Sequence, residues 1–155
     1  MGLSECASAL LLLSTGLMQT TTPKELVLVT GSSGLIGART ADRLSAQFRV
    51  AGLDRPGEPH PPSSADNIPC DLTSDDSVVQ ALTMVKGRFG SDIAAVVHLA
   101  AYFDFSGEPS SKYSEVTVEG TRRLLRALHA LGFRVARFIF SSTMLVHKPC
   151  EPGEA

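Results

Sequence analysis

Glu25 to Thr30 (ELVLVT) is a short, apolar, β-branched run that halts at a glycine cluster, the pattern of a parallel strand covered on both faces. The turn from Gly31 to Gly34 opens a helix predicted over residues 35–47. Ile36, Thr40 and Leu44 recur at fourfold spacing on one of its faces, with Arg39, Asp42 and Arg43 elsewhere. Arg49 to Leu53 reads as a second strand. Residues 55–66 hold four prolines and no periodicity, so they form a surface loop. Asn67 to Cys70 make a short third strand. Thr73 and Asp76 have the spacing of a capping box, with Asp in place of the usual Glu, and predict the start of a helix striped by Val78, Leu82 and Val85. Ile93 to Ala101 is nearly continuous apolar sequence and reads as the centre of the sheet. After a loop over residues 102–111, the strongest helical pattern covers 112–131, with Val116, Gly120, Leu124, Leu128 and Leu131 on one face. Glu119 and Arg123 sit four apart in acid-first order, worth about 0.3 kcal/mol if exposed. Val135 to Phe140 is the fifth strand.

Strands alternating with helices require parallel pairing and right-handed crossovers, with helices on both faces. The expected fold is therefore α/β, a doubly wound parallel sheet of the Rossmann type with five strands. A length of 155 residues suits one domain, and 43% hydrophobic with 19% charged residues excludes collagen-like, disordered and coiled-coil chains. A net charge of -2 gives no electrostatic reason to expect nucleic acid or an anionic membrane as a partner. Cys6, Cys70 and Cys150 are odd in number and far apart, which argues against a disulfide framework or a zinc cluster and for a reducing, cytoplasmic setting. Four scattered histidines offer no metal site.

Residues 7–18 are apolar but fall short of the about 20 needed to span a bilayer. No Lys or Arg precedes Lys24, whereas a secretory signal starts with basic residues. Residues 1–23 are expected to be unstructured or extraneous, with Met18 rather than Met1 as the natural start, and the folded domain occupies 24–155.

Thr30-Gly31-Ser32-Ser33-Gly34-Leu35-Ile36-Gly37 places three glycines between a strand and a helix. Such a turn lets a pyrophosphate approach the backbone, and the free N-H groups of the helix start favour an anion. A P-loop is excluded because Ala38, not Lys, follows Gly37. Asp54 comes 23 residues after Gly31, where a carboxylate accepts hydrogen bonds from a ribose; the bland alternative is a turn residue before Pro56. A carboxylate there favours NAD, while Arg55 beside it keeps NADP open.

With these residues placed, the chain from Leu26 to Lys148 resembles the extended short-chain dehydrogenase/reductase family, also called the NAD-dependent epimerase/dehydratase family. TGSSGLIG at 30–37 is similar to that family's TGxxGxxG. Asp71-Leu72 resembles its acid-plus-aliphatic pair, His98-Leu99-Ala100-Ala101 its HxAA segment, Val118-Glu119-Gly120-Thr121 its NVxGT helix motif, and Phe140-Ser141-Ser142-Thr143 its strand-five SS(S/T). The resemblance implies cofactor contacts from Gly31, Ser33, Gly34, Leu35, Ile36, Gly37, Asp54, Asp71, Leu72, Leu99, Ala100 and Ala101, and a substrate-orienting hydroxyl at Thr143.

Thr117 departs from the family's asparagine, and Val146-His147-Lys148 from its VYG. The family's Tyr-x-x-x-Lys pair has no match: Ser106 follows Tyr102 by four residues and Thr117 follows Tyr113. The resemblance thus implies the cofactor-binding portion of an oxidoreductase, epimerase or dehydratase acting on a hydroxyl or carbonyl small molecule, a nucleotide sugar among the candidates. The C-terminal part of the fold and the substrate domain are then missing, and the chain alone is expected to be inactive. The alternative is a non-catalytic NAD(P)-binding regulatory or partner-binding module. The family also implies a homodimer through the 112–131 helix and a partly bare strand at Val135 to Phe140. His98 reads as a core histidine without catalytic work, and Arg122, Arg123, Arg126, Arg134 and Arg137 as a solvated face. Phe103 and Phe105 wall a substrate pocket or fold onto the sheet.

Overall fold

Every residue of the first strand, β1 (Leu26–Thr30), is buried in the computed structural model, which describes residues 23–58, 61–104 and 108–142. Thr143, Phe105, Val146 to Lys148 and the N-terminal segment through residue 22, with Met1 and Met18, lie outside the described residues. After β1 come α1 (Leu35–Ser45), β2 (Arg49–Asp54), β3 (Asp66–Pro69), α2 (Asp75–Phe89), β4 (Asp92–Ile93) and β5 (Ala95–His98). A π-helical stretch, Tyr113–Glu119, leads into α3 (Gly120–Ala130), then β6 (Arg134–Val135) and β7 (Phe138–Phe140).

The main sheet has the order β3-β2-β1-β5-β7, parallel throughout. Its middle strand is β1 and not the 93–101 run, because the chain fills one side of β1 first and then jumps to the other. Period-two alternation along β1 divides the core. Leu26 and Leu28 pack with Leu82, Val85, Leu124 and Leu128 under α2 and α3, while Val27 and Val29 pack with Ala41 of α1. The doubly wound arrangement is thus written into β1 itself.

Several local expectations are corrected. The 93–101 and 135–140 runs are each interrupted, at Ala94 and at Ala136–Arg137, so that β4 and β6 pair as a separate two-stranded ladder. The first helix stops at Ser45 and buries Gly37 and Ala41, whereas Ile36 is 69% exposed: small residues let α1 come close, and they define its inner face. Strands β2 and β3 are joined by the proline loop, with no helix among its described residues. The cap of α2 is Ser74, whose hydroxyl accepts from the Ser77 N-H, while the Thr73 hydroxyl donates to Asp71 instead. Glu119 pairs with Arg122 rather than Arg123, since Arg123 turns toward Asp75 and donates to the Leu72 carbonyl. Ile139 and Phe140, on opposite faces of the edge strand β7, remain about half exposed.

Ser74→Ala leaves the first turn of α2 short of an acceptor and is expected to lower stability by about 1 kcal/mol. Asp76→Ala loses only a favourable charge near the helix start, about 0.5 kcal/mol. Urea denaturation of the two variants checks this; the reverse order would restore the Thr73 and Asp76 box.

Candidate functional site

From β1 the chain moves outward through β2 and β3, then returns to the other side of β1 as β5. The crevice at the carboxyl ends of strands that diverge in this way is where open α/β sheets hold ligands. A cavity of about 300 Å³ opens there, and each flanking strand end contributes to its wall: Thr30 and Gly31 after β1, Asp54 at the end of β2, Cys70, Asp71 and Leu72 after β3, and Leu99 to Ala101 after β5.

Glycine is required at two points of the first turn. Gly31 has φ +67°, and a Cβ there would lie 2.8 Å from the Ala100 nitrogen. A Cβ on Gly37 would lie 1.9 Å from the Gly31 carbonyl oxygen. With both positions bare, α1 begins directly over the end of β1. Its cap, Gly34, makes no side-chain hydrogen bond, and its first turn contains no acid, in contrast to the Ser74 cap and Asp75–Asp76 of α2. The N-H groups of the first turn of α1 therefore remain available to an anion, at the positive end of the helix dipole.

Two carboxylates of the cavity are held by backbone amides. Asp54 accepts from the Ser33 N-H at 2.7 Å and from the Arg55 N-H at 2.9 Å. Asp71 accepts from the Thr73 N-H at 2.9 Å and from its hydroxyl at 2.8 Å, an Asx turn that holds the carboxyl below its usual range, with Arg55 and Arg123 adding smaller favourable charge. Cys70 between them is buried, and desolvation together with the two neighbouring carboxylates pushes its thiol up to about 12. The thiol stays protonated and is a wall, not a nucleophile.

Behind the cavity, His98 is fully buried. Thr121 Oγ1 donates to the Thr117 carbonyl, so it accepts from His98 Nε2, at 2.8 Å. His98 Nδ1 then accepts from Thr30 Oγ1 at 2.6 Å, and Thr30 in turn accepts from the Ala100 N-H at 3.3 Å. Each hydroxyl donates once, and only a neutral ring fits. Burial lowers the pKa of His98 to about 4. The ring joins β1, β5, α3 and the loop lining the cavity, which is core work.

Of the residues singled out in the sequence, Gly31, Gly34, Asp54, Asp71, Leu72, Leu99, Ala100 and Ala101 meet at this cavity. Ser33, Leu35, Ile36 and Gly37 do not line it. Ser33 is buried within the turn, with its N-H on Asp54, and Gly37 is buried against Gly31 and Ser32 of the same turn. Leu35 and Ile36 turn their side chains outward into a shallow groove with Arg39 and Arg43. Glu58, Thr73, Tyr102 and Val116 also line the cavity and were not singled out for it. Pro56-Gly57 could have flagged Glu58, since it turns the chain back toward Arg55, and the D-x-T spacing could have flagged Thr73. The positions of Tyr102 and Val116 follow from packing and leave no local signal. Among the described residues, no group of His, Cys, Asp and Glu could hold a metal, and no helix is long and apolar enough to cross a membrane.

A family model described as NAD dependent epimerase/dehydratase matches residues 27–154. The chain is 32% identical over 121 residues to the N-acetyl-alpha-D-glucosaminyl-diphospho-ditrans,octacis-undecaprenol 4-epimerase of Escherichia coli O157:H7, covering 78% of this chain and 33% of that protein. Among solved structures, a candidate epimerase from Burkholderia cenocepacia J2315 is 32% identical with a TM-score of 0.63, over 79% of this chain and 38% of that one. The UDP-glucose 4-epimerase of Thermus thermophilus in complex with NAD is 27% identical with a TM-score of 0.59, over 71% and 36%. The chain spans about a third of the length of these relatives.

The neutral His98 gives stability a pH dependence. Its folded pKa lies near 4, below the ordinary 6.5, so the unfolded chain binds the extra proton and stability falls as the pH drops from 6.5 toward 4. The full loss is about 3 kcal/mol at about 1.4 kcal/mol per unit. Urea midpoints at pH 7.5 and 5.0 are expected to show much of it in the wild type and less in His98→Gln; equal slopes in the two proteins would contradict the assignment.

Proposed function

This chain belongs to the NAD-dependent epimerase/dehydratase family, and we propose that its cavity takes the adenosine end of a nicotinamide dinucleotide, NAD in preference to NADP. The reaction proposed for the protein is oxidation and reduction at a hydroxyl-bearing carbon of a sugar substrate, as in an epimerase or dehydrogenase. The supporting observation is the Asp54 carboxylate, tied by the Ser33 amide to the glycine turn and lining the same cavity as Gly31 and Gly34. Each of its oxygens accepts one backbone N-H and keeps a lone pair for a ribose hydroxyl.

The other parts fit the same ligand. The uncapped start of α1 suits a pyrophosphate, and the ionised Asp71 can accept from an adenine amino group. Leu72, Leu99 and Ala100 offer apolar surface to the base. A cavity of about 300 Å³ has room for a nucleoside, with the rest of the dinucleotide along the open glycine turn. When bound, the nicotinamide supplies hydride acceptance and return. These residues bind and orient it. Thr143 is proposed to orient the substrate hydroxyl. Tyr102 and Tyr113 meet edge to face at 5.0 Å and neither has a lysine four residues on, so no proton-transfer role is proposed for them.

Gly34→Val places a branched side chain in the cavity, where even a Cβ would lie 3.3 Å from the Gly31 oxygen. NADH titration followed by nicotinamide fluorescence is expected to show binding weakened about tenfold or more, with the circular dichroism of the fold retained. Gly87→Ala, on open helix surface, is expected to leave binding unchanged and to raise stability by about 1 kcal/mol. Unchanged NADH binding in Gly34→Val would overturn the cavity assignment.

A further inference from the structure

Asp54 ends β2, and the next four residues are Arg55-Pro56-Gly57-Glu58. Proline followed by a glycine at φ +85° is the signature of a type II turn, which brings its first and fourth residues together. Here these are Arg55 and Glu58, and Arg55 Nη2 donates to Glu58 Oε1 at 2.5 Å. Both side chains line the cavity that Asp54 lines.

We propose that Glu58 is a cofactor-selectivity residue, which holds the Arg55 guanidinium and keeps it from serving as a receptor for a 2′-phosphate; this rests on the dinucleotide reading above. Arginine beside a ribose site is the residue best shaped to grip a phosphate, through paired N-H donors. Taken alone, Arg55 argues for NADP. The turn changes that outcome. A 2′-phosphate, a monoester carrying about two negative charges at neutral pH, would have to displace Glu58 from the guanidinium and then lie beside the freed carboxylate. Among the described residues, the cavity lining presents Asp54, Glu58 and Asp71 against the one guanidinium of Arg55. A 2′-hydroxyl meets no such cost, because a neutral donor can bond to Asp54 with the Arg55 and Glu58 pair intact.

The plain alternative is an ordinary surface ion pair. The Arg55 side chain is 66% exposed, and such pairs add little to stability. A stability measurement therefore cannot separate the readings, whereas cofactor preference can. Position also favours the selectivity role: the pair sits on the cavity rim directly after Asp54, and the Pro56-Gly57 turn fixes it there without demands on the rest of the fold.

The test uses the full 155-residue chain and its Glu58→Gln, Arg55→Gln and doubly substituted variants, titrated with NADH and with NADPH by nicotinamide fluorescence. Wild type is expected to prefer NADH. Glu58→Gln is expected to bind NADPH about tenfold more tightly than wild type, so that its NADPH-to-NADH affinity ratio rises, and the gain is expected to vanish in the double variant. If Glu58→Gln still binds NADH and its NADPH-to-NADH affinity ratio does not rise, the selectivity role is overturned while the dinucleotide reading stands. If the gain persists in the double variant, Glu58 acts by its own charge and the holding of Arg55 is overturned. If wild type binds neither dinucleotide, the cavity assignment falls and this inference falls with it.

Discussion

The close approach of Gly37 to the Gly31 carbonyl, where a Cβ would have only 1.9 Å, sets how α1 sits on the end of β1. From that contact the site follows by short steps. The turn between the two glycines is drawn inward until the Ser33 N-H reaches Asp54 on the neighbouring strand, while the Gly31 N-H bonds to the Leu53 carbonyl. On its other side Gly31 lies against the backbone of Leu99 and Ala100. One turn thereby fixes the separation of three strand ends. A larger residue at Gly31 or Gly37 would move the helix start and the carboxylate together, since a close-packed interior has little room to absorb the shift.

A second device holds the opposite wall. His98, as a neutral bridge, ties Thr30 on β1 to Thr121 on α3, and a Cβ on Gly120 would lie 3.0 Å from Leu72. The helix therefore approaches both the strand under the cavity and the loop that closes it. Arg123, donating to the Leu72 carbonyl, adds a polar tie at the same place. Buried polar groups of this kind are costly unless each finds its partner, and in the chain from Ala100 through Thr30, His98 and Thr121 to Thr117 they do.

Sequence pattern revealed the architecture because its strongest signals are dense and local. ELVLVT before the glycine turn and the Val78, Leu82 and Val85 stripe occupy their expected places, and the helix expected over 112–131 is present, with its first part, Tyr113–Glu119, π-helical. The misplacements share one physical origin, which is that local pattern does not register backbone continuity or contacts at long range. The interruptions at Ala94 and Ala136 are invisible in apolar runs, as is the exposure of Ile36, which depends on Gly37 and Ala41 facing the sheet. Thr73 has the spacing of a cap, yet Asp71 holds its hydroxyl. Within the site, strand-end residues such as Asp54 and Ala100 were legible from spacing, whereas Tyr102 and Val116 reach the cavity only through tertiary packing.

The electrostatics of the cavity combine these constraints. Its acids are held mainly by backbone N-H groups rather than by buried cations: Asp54 by Ser33 and Arg55, Asp71 by Thr73. Amide donors fix a carboxylate in place and leave it lone pairs free for a neutral donor such as a hydroxyl or amine. The uncapped start of α1 at Gly34 borders the same opening and carries the opposite polarity. The surface is thus divided into an end that accepts hydrogen bonds and an end that donates them. A ligand matched to both has hydroxyl and amine groups at one end and an anion along its middle. In such a layout a guanidinium left free at the accepting end would blur the division, and here it is paired with Glu58.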